Sequence, residues 1–397
     1  MSFLDDPAAP VASSTQATAT GIEAEASLGL GRLDGALAFC PPATLRLFAA
    51  RLLRDTLSAA LRQEGHAFTD SRFYAWFAGI ATLSDEPPRI ARPPRVVAEA
   101  VLTELAHSSW EPLAVLAARL ASALLAPRDL DAEAAHEVTH AIVAAARRLV
   151  EELGHAPSPL PVPALERLHH AVGRDVVFAP SERSHEPIIR ANVRLTVERV
   201  GLPSPRWAIE MLWGEHWRAA GTLRCALPFP GLIRLDAVRV EIDPAERRIV
   251  VATSLRDVAH AMFIKLAEAD RLSRRIEDLR PGRRTTSRAP AVFELLAGFG
   301  PLRSSQIETL LGVTRLGVRG MLAALSDIGV LERSSLAGVR LYAISNRDPT
   351  PPMTSDPAEV FAFSHAAIDE YKASMADIDA LLVRSGADLE EDAEDPD

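Results

Sequence analysis

Apolar residues recur three and four positions apart through most of residues 21–175, the period of an amphipathic helix. The stretch 41–66 opens with prolines, keeps its leucines at that spacing and ends at Gly65. The stretch 69–83 has Thr69 or Asp70 as a cap and carries Phe73, Trp76, Phe77 and Ile80. Segments 93–105, 110–125 and 131–153 predict three more helices. Short proline or polar breaks separate them, which favours antiparallel packing. Residues 1–20, rich in Ala, Ser, Thr and Pro without periodicity, predict a disordered tail.

The pattern changes near residue 176. Two stretches within 205–253 alternate and are rich in Val, Ile and Trp, and Asp243-Pro244-Ala245-Glu246 between two runs has the composition of a hairpin turn. The region 176–253 therefore predicts a small antiparallel sheet. Ser254 with Asp257 then resembles a capping box. Val258, Met262, Leu266, Ala269, Leu272, Ile276 and Leu279 form one stripe along a helix over 254–280. That helix is either a connector packed on the body or the interface of a homodimer.

Residues 289–345 carry the most specific pattern. Pro290 suits a first helical turn, with Val292, Leu295 and Leu296 as its buried side. Ser305 and Glu308 predict a capping box for a second helix, 305–311, which Gly312 terminates. Val313 is the apolar plug of the turn, and Thr314 caps a third helix over 315–328 with Val318, Leu322 and Leu325 inward. Arg315, Gly317, Arg319 and Gly320 fall on the opposite side. Gly329 stops that helix, and residues 330–333 and 339–342 predict two strands around a Ser334–Gly338 turn. Caps, stripe, glycine stop and hairpin agree on a winged helix-turn-helix, whose third helix enters the major groove.

Composition and charge sharpen this reading. Alanine, 67 of 397 residues, is the best helix former, and the fold expected is mainly α. The two cysteines, Cys40 and Cys225, are too few for a disulfide framework or a four-thiolate zinc site and predict reduced core residues. No apolar run is long enough to span a bilayer, and the acidic start lacks the basic region of a secretory signal, so a cytoplasmic protein without membrane contact is expected. The net charge of −10 speaks against nucleic-acid binding by the whole surface. Yet residues 271–347 hold 13 arginines against six acids, a net of +7, leaving −17 elsewhere. A basic module on an acidic chain suits phosphate contact confined to one face. Lysine is nearly absent, with Lys265 and Lys372 alone, so arginine usage is general and only its clustering is informative.

The order RLDG (32–35), GHAFTDSRFYAWFAG (65–79) and the arginine-rich RPGRRTTSRAP segment leading into the helix-turn-helix resembles an uncharacterised group of alphaproteobacterial, often plasmid-borne, proteins. These carry a domain of unknown function followed by a C-terminal helix-turn-helix DNA-binding domain. The resemblance implies DNA binding. The N-terminal part is also similar to the helical segment preceding the catalytic core of Fic-type AMP-transferases. The HPF and GNGR-like signatures of that core are absent from the sequence, so its activity is not carried over.

Three further features have competing readings. His136-Glu137-Val138-Thr139-His140 matches H-E-x-x-H, which on a helix would present both imidazoles to a zinc ion with Glu137 as general base and, by assumption, Glu166 as third ligand. The alternative is an ordinary amphipathic helix, because no third histidine or glycine follows at metzincin spacing. Trp207, Trp213 and Trp217 read as core anchors or as the lining of a ligand-sensing pocket. The last ten residues, with seven acids, read as a solubilising end or as a competitor for the basic module.

The sequence thus predicts a disordered tail (1–20), a helical domain (21–175), a small antiparallel region (176–253), a connector helix with arginine-rich linker (254–288), a winged helix (289–347) and a C-terminal helix with acidic tail (348–397). The expected function is binding of double-stranded DNA, in transcriptional or plasmid-maintenance control. The expected contacts are Thr314, Arg315, Arg319, Arg333, Arg340, Arg283, Arg284 and Arg288. No catalytic residue, cofactor or metal is assigned. A second reading is a winged helix that binds protein instead, and a third is a zinc hydrolase using the HEVTH segment.

Overall fold

The computed structural model describes residues 10–85, 91–128, 132–155, 160–180, 184–190, 193–199, 203–239, 242–278 and 288–345. Arg283, Arg284, most of the arginine-rich linker and the C-terminal segment 346–397 lie outside them. The chain is mainly helical. Helices α1 (Pro10–Phe39), α2 (Pro42–Gln63), α3 (Asp70–Phe77), α4 (Pro94–Leu105), α5 (Glu111–Ala123), α6 (Ala132–Gly154) and α7 (Pro161–Arg174) come first. A hairpin, β1 (Ser184–Arg190) and β2 (Val193–Arg199), follows, then α8 (Trp207–Ala219), α9 (Leu235–Val238) and α10 (Pro244–Asp278). Helices α11 (Ala289–Gly298), α12 (Ser304–Leu311) and α13 (Arg315–Asp327) and a second hairpin, β3 (Leu331–Leu336) and β4 (Val339–Ile344), complete the described chain. Among the described residues no helix is long and apolar enough to cross a membrane.

Helix α2 is the hub. Leu47, Phe48, Leu52, Leu53, Leu57 and Leu61 are fully buried, and Thr44, Thr56 and Ser58 are buried on its other sides. A helix covered all round sits inside a core rather than on its edge. It packs against α4, α5, α8, α10 and α11. Helix α10 runs beside both α1 and α2. Arg248 pairs with Glu23 and Arg256 with Glu25 of α1, while Lys265 reaches Asp55 and Arg51 reaches Glu268 across the α2 contact. Met262, Leu266, Ala269 and Ile276 are buried in this packing. These members of the apolar stripe are covered by the same chain, and Val258 and Leu272 are half-buried beside them.

Four expectations are corrected. The sheet predicted across 205–253 is helical, and the region's one described hairpin lies earlier, at 184–199. Ten residues of α8 are buried. A helix covered on nearly every side loses its 3.6-residue signature and cannot be told from a buried strand by periodicity. Asp243-Pro244-Ala245-Glu246 is a helix start. The Asp243 carboxylate accepts from the backbone N–H of Ala245 (2.8 Å) and Glu246 (3.3 Å), and Pro244 occupies the first turn, where its missing N–H costs nothing. Ser254 therefore lies inside α10, its hydroxyl donating to the Leu232 carbonyl at 2.9 Å rather than capping. Residues 10–20, expected to be disordered, belong to α1. Cys40 and Cys225 are half-buried free thiols, and burial pushes both pKa values up.

The C-terminal unit of three helices and a hairpin is built onto the helical body. Gly298 sits where an added Cβ would lie 2.6 Å from that of Ala50. Phe299 is fully buried, its ring 4.9 Å from that of Phe77. Glu294 receives two hydrogen bonds from Arg46, at 2.7 and 2.9 Å. Gln306 donates to the carbonyls of Phe77 (3.2 Å) and Ala123 (2.9 Å) at the C-terminal ends of α3 and α5.

The turn between β3 and β4 stores strain. Ala337 (φ 49°) and Gly338 (φ 77°) both take positive φ, the signature of a type I′ turn, in which Asn precedes Gly most comfortably. Alanine in that region costs roughly 1 kcal/mol. Ala337→Asn is therefore expected to raise the denaturant midpoint by about 0.5–1 kcal/mol of stability with an unchanged slope. A fall would show that the turn has another geometry.

Candidate nucleic-acid interface

The geometry of α13 follows from its two ends. Gly312 adopts the left-handed conformation (φ 60°) that ends α12. Two residues on, the Thr314 hydroxyl accepts from the Gly317 N–H at 3.3 Å. This cap fixes where α13 begins and how it is rotated. Val318, Met321, Leu322 and Leu325 then face the core. Arg315, Leu316, Arg319, Gly320 and Ala323 are exposed. The start of α12 differs from expectation. The helix begins at Ser304, and the side chain of Gln306, not a Ser305–Glu308 pair, accepts from the N–H of Arg303 at 3.0 Å. Glu308 is left free to face the adjoining groove.

The hairpin strands are longer than predicted, and Leu302 joins them. Its N–H donates to the Tyr342 carbonyl (3.1 Å), and the Tyr342 N–H donates back (2.9 Å). This ties the α11–α12 connection to β4 and holds the hairpin beside α13. Between α12, α13 and the hairpin lies a groove of ≈ 590 Å³. Arg315 and Arg319 enter it from α13, Arg333 from β3 and Arg340 from β4. Arg303 is the fifth arginine there, and Glu308 is the sole acid. Residues from four elements thus bring a strong positive excess to one opening.

The four arginines of α13 and the hairpin are exposed, and none forms an ion pair or side-chain hydrogen bond with another described residue. On the helical body many arginines are neutralised, although Arg32, Arg119, Arg148 and Arg174 are also exposed and unpaired among the described residues. Arg46, Arg51, Arg54, Arg62, Arg72, Arg92 and Arg95 each pair with a carboxylate. Unneutralised guanidinium groups on one face repel one another unless an anionic partner arrives. Arg303, which sequence reasoning passed over, has a different task. It donates to the Ala78 carbonyl at 3.0 Å and anchors the unit to the body.

Arg288 is exposed and lies on the other side of the α13 start, in a shallow recess of ≈ 470 Å³ shared with Thr314, Gly317 and Gly320. Thr314 and Arg288 therefore flank the same helix terminus, while Arg283 and Arg284 lie outside the described residues. An added Cβ at Gly320 would meet nothing within 4 Å, so the backbone there is open to close approach.

The competing sites are placed differently. His136 contacts Glu99 (Nε2 to Oε2, 3.2 Å), and Glu137 and His140 are exposed. The charged neighbours of Glu166 are Arg248, Glu23 and Arg247, and burial raises its pKa. Among the described residues no group of three His, Cys, Asp or Glu side chains is placed to hold a metal ion. Trp207, Trp213 and Trp217 are core, each at most 1% exposed. Trp207 donates its indole N–H to the buried Glu64 carboxylate at 2.6 Å, where Arg92 also binds. Trp217 packs edge-on against Phe229 at 4.8 Å. The sequence matches no protein-family model and no curated protein.

Proposed function

We propose that residues 289–345 form a winged helix-turn-helix that binds double-stranded DNA, with α13 in the major groove and the β3–β4 hairpin as the wing. The observation that carries this reading is the groove itself, where four exposed, unpaired arginines from a helix and a hairpin converge. The helix start adds free N–H groups and the positive end of the helix dipole, which suit a phosphate. In this arrangement Arg333, Arg340 and Arg288 contact the flanking backbone, and Arg315 and Arg319 reach bases or phosphates. The likeness to helix-turn-helix proteins noted from the sequence supports the same reading, and with it a role in transcriptional or plasmid-maintenance control.

The test is a salt titration of the full-length chain against random-sequence duplex DNA. With five arginines on phosphates or bases, log K is expected to fall with log salt at a slope of about −3 to −5. No binding at low salt, or a slope near zero, would overturn the proposal and favour a protein partner. Leu316, 77% exposed on α13, would then be the natural centre of that contact.

A further inference from the structure

A second cavity lies on the helical body. It has a volume of ≈ 380 Å³, at the small end of the range for ligand sites. Leu105, Val150, Met211, Leu212 and Ala226 give it an apolar lining. Its polar lining has three carboxylates, Glu104, Glu151 and Glu215, with Arg147 and His107 beside them. Arg147 is already paired with Glu104. Glu215 is also committed: the Ser109 N–H (2.8 Å), the Ser109 hydroxyl (2.7 Å) and Arg218 (3.2 Å) all donate to it. Glu151 remains exposed at the rim.

Two further observations point to a ligand and to its charge. His216 lines the cavity and is 7% exposed; its ring packs on Trp213 at 4.4 Å, and its imidazole nitrogens have no hydrogen-bond partner among the described residues. Burial and Arg167 lower its pKa, so at neutral pH the ring is uncharged and one nitrogen can accept a hydrogen bond. The cavity also receives the C-terminal turns of α4, α6 and α8, through Leu105, Gly154 and Ala219. Each presents the negative end of a helix dipole, which favours a cation. The helix N-terminus nearest to it, that of α5, is held at Ser109 by Glu215.

We propose that this cavity binds a small organic cation with an apolar body, its ring against Leu105, Val150 and Met211 and its ammonium group toward Glu151 and His216. The site is independent of the DNA-binding reading.

Tryptamine and indole-3-propionate, similar in shape and opposite in charge, test it by titration calorimetry on the full-length chain. Tryptamine is expected to bind with a dissociation constant below about 1 mM, and indole-3-propionate at least about tenfold more weakly. Gly154 ends α6 with its Cβ position 3.6 Å from Nδ1 of His216, so Gly154→Leu should fill the cavity and weaken tryptamine at least about tenfold. Ala219→Phe blocks the opposite side and serves if the first variant fails to fold. Glu151→Gln should weaken tryptamine by about threefold or more. Undetectable binding to the wild type, equal binding of the two probes, or unchanged affinity in the folded blocking variants would overturn the proposal.

Discussion

Replacing Arg315 and Arg319 together with alanine is expected to lower affinity for duplex DNA about a hundredfold at low salt, while leaving the melting temperature unchanged. The two residues are four apart on one face of α13, so their side chains lie one above the other along the helix. Both are exposed and neither is tied to another described residue. Their removal therefore costs the folded state almost nothing, within about 0.5 kcal/mol. Binding loses two contacts. At about 1–3 kcal/mol for a guanidinium on a base and less for one on a phosphate, the pair accounts for roughly 2–4 kcal/mol. If both contact phosphates, the salt slope also falls by about two. Arg218→Ala with Arg256→Ala is the matched control, since both of these arginines pair with carboxylates on the body. Fluorescence anisotropy over a salt series reads all of these quantities. Equal losses in the two double variants would mean that binding follows net charge and not this groove.

What the sequence revealed and concealed divides along physical lines. The unit 289–345 was legible because α12 and α13 each keep a solvent face. Val318, Leu322 and Leu325 stand out against Arg315 and Arg319, and Gly312 and Thr314 mark the turn between helices. The converging arginines could be named as well, because a helix and a neighbouring hairpin share one face by local geometry. Helix α8 could not be read, since burial on nearly every side erased its period. The Asp243-Pro244 pair is equally at home in a turn and at a helix start, and only the carboxylate's hydrogen bonds decide between them. Gln306 offers no local clue to its role, because its acceptors, Phe77 and Ala123, are about two hundred residues away. The cavity near His216 was hidden for the same reason. It is made by the ends of three helices that lie far apart in the chain.

Acidification from pH 6.5 to about 4 is expected to remove about 3 kcal/mol of stability through one residue, His169. The side chain is fully buried on α7. Its Nδ1–H donates to the Leu165 carbonyl at 2.8 Å, and its Nε2 accepts from the backbone N–H of Arg234 at 3.3 Å. This pair of bonds requires the neutral ring. A proton on Nε2 would point at another N–H, in a fully buried site with Arg206 and Arg247 nearby. Burial first, and then these arginines, lower the pKa from 6.5 to about 4, against the pull of the Leu165 hydrogen bond. The unfolded chain therefore takes up the proton before the folded one does. Stability is complete above pH 6.5, falls by about 1.4 kcal/mol per pH unit below it, and levels off below pH 4. Glu210 opposes this trend, because burial raises its carboxyl pKa and acid then favours the folded form. The contribution of His169 is isolated by difference. His169→Gln keeps an acceptor for Arg234 and carries no titrating group. It should be less stable than the wild type at pH 7, and its loss between pH 7 and pH 4 should be smaller by about 3 kcal/mol. Urea denaturation of both proteins across that range measures the difference. Parallel pH profiles would show that the buried ring is not what acid attacks.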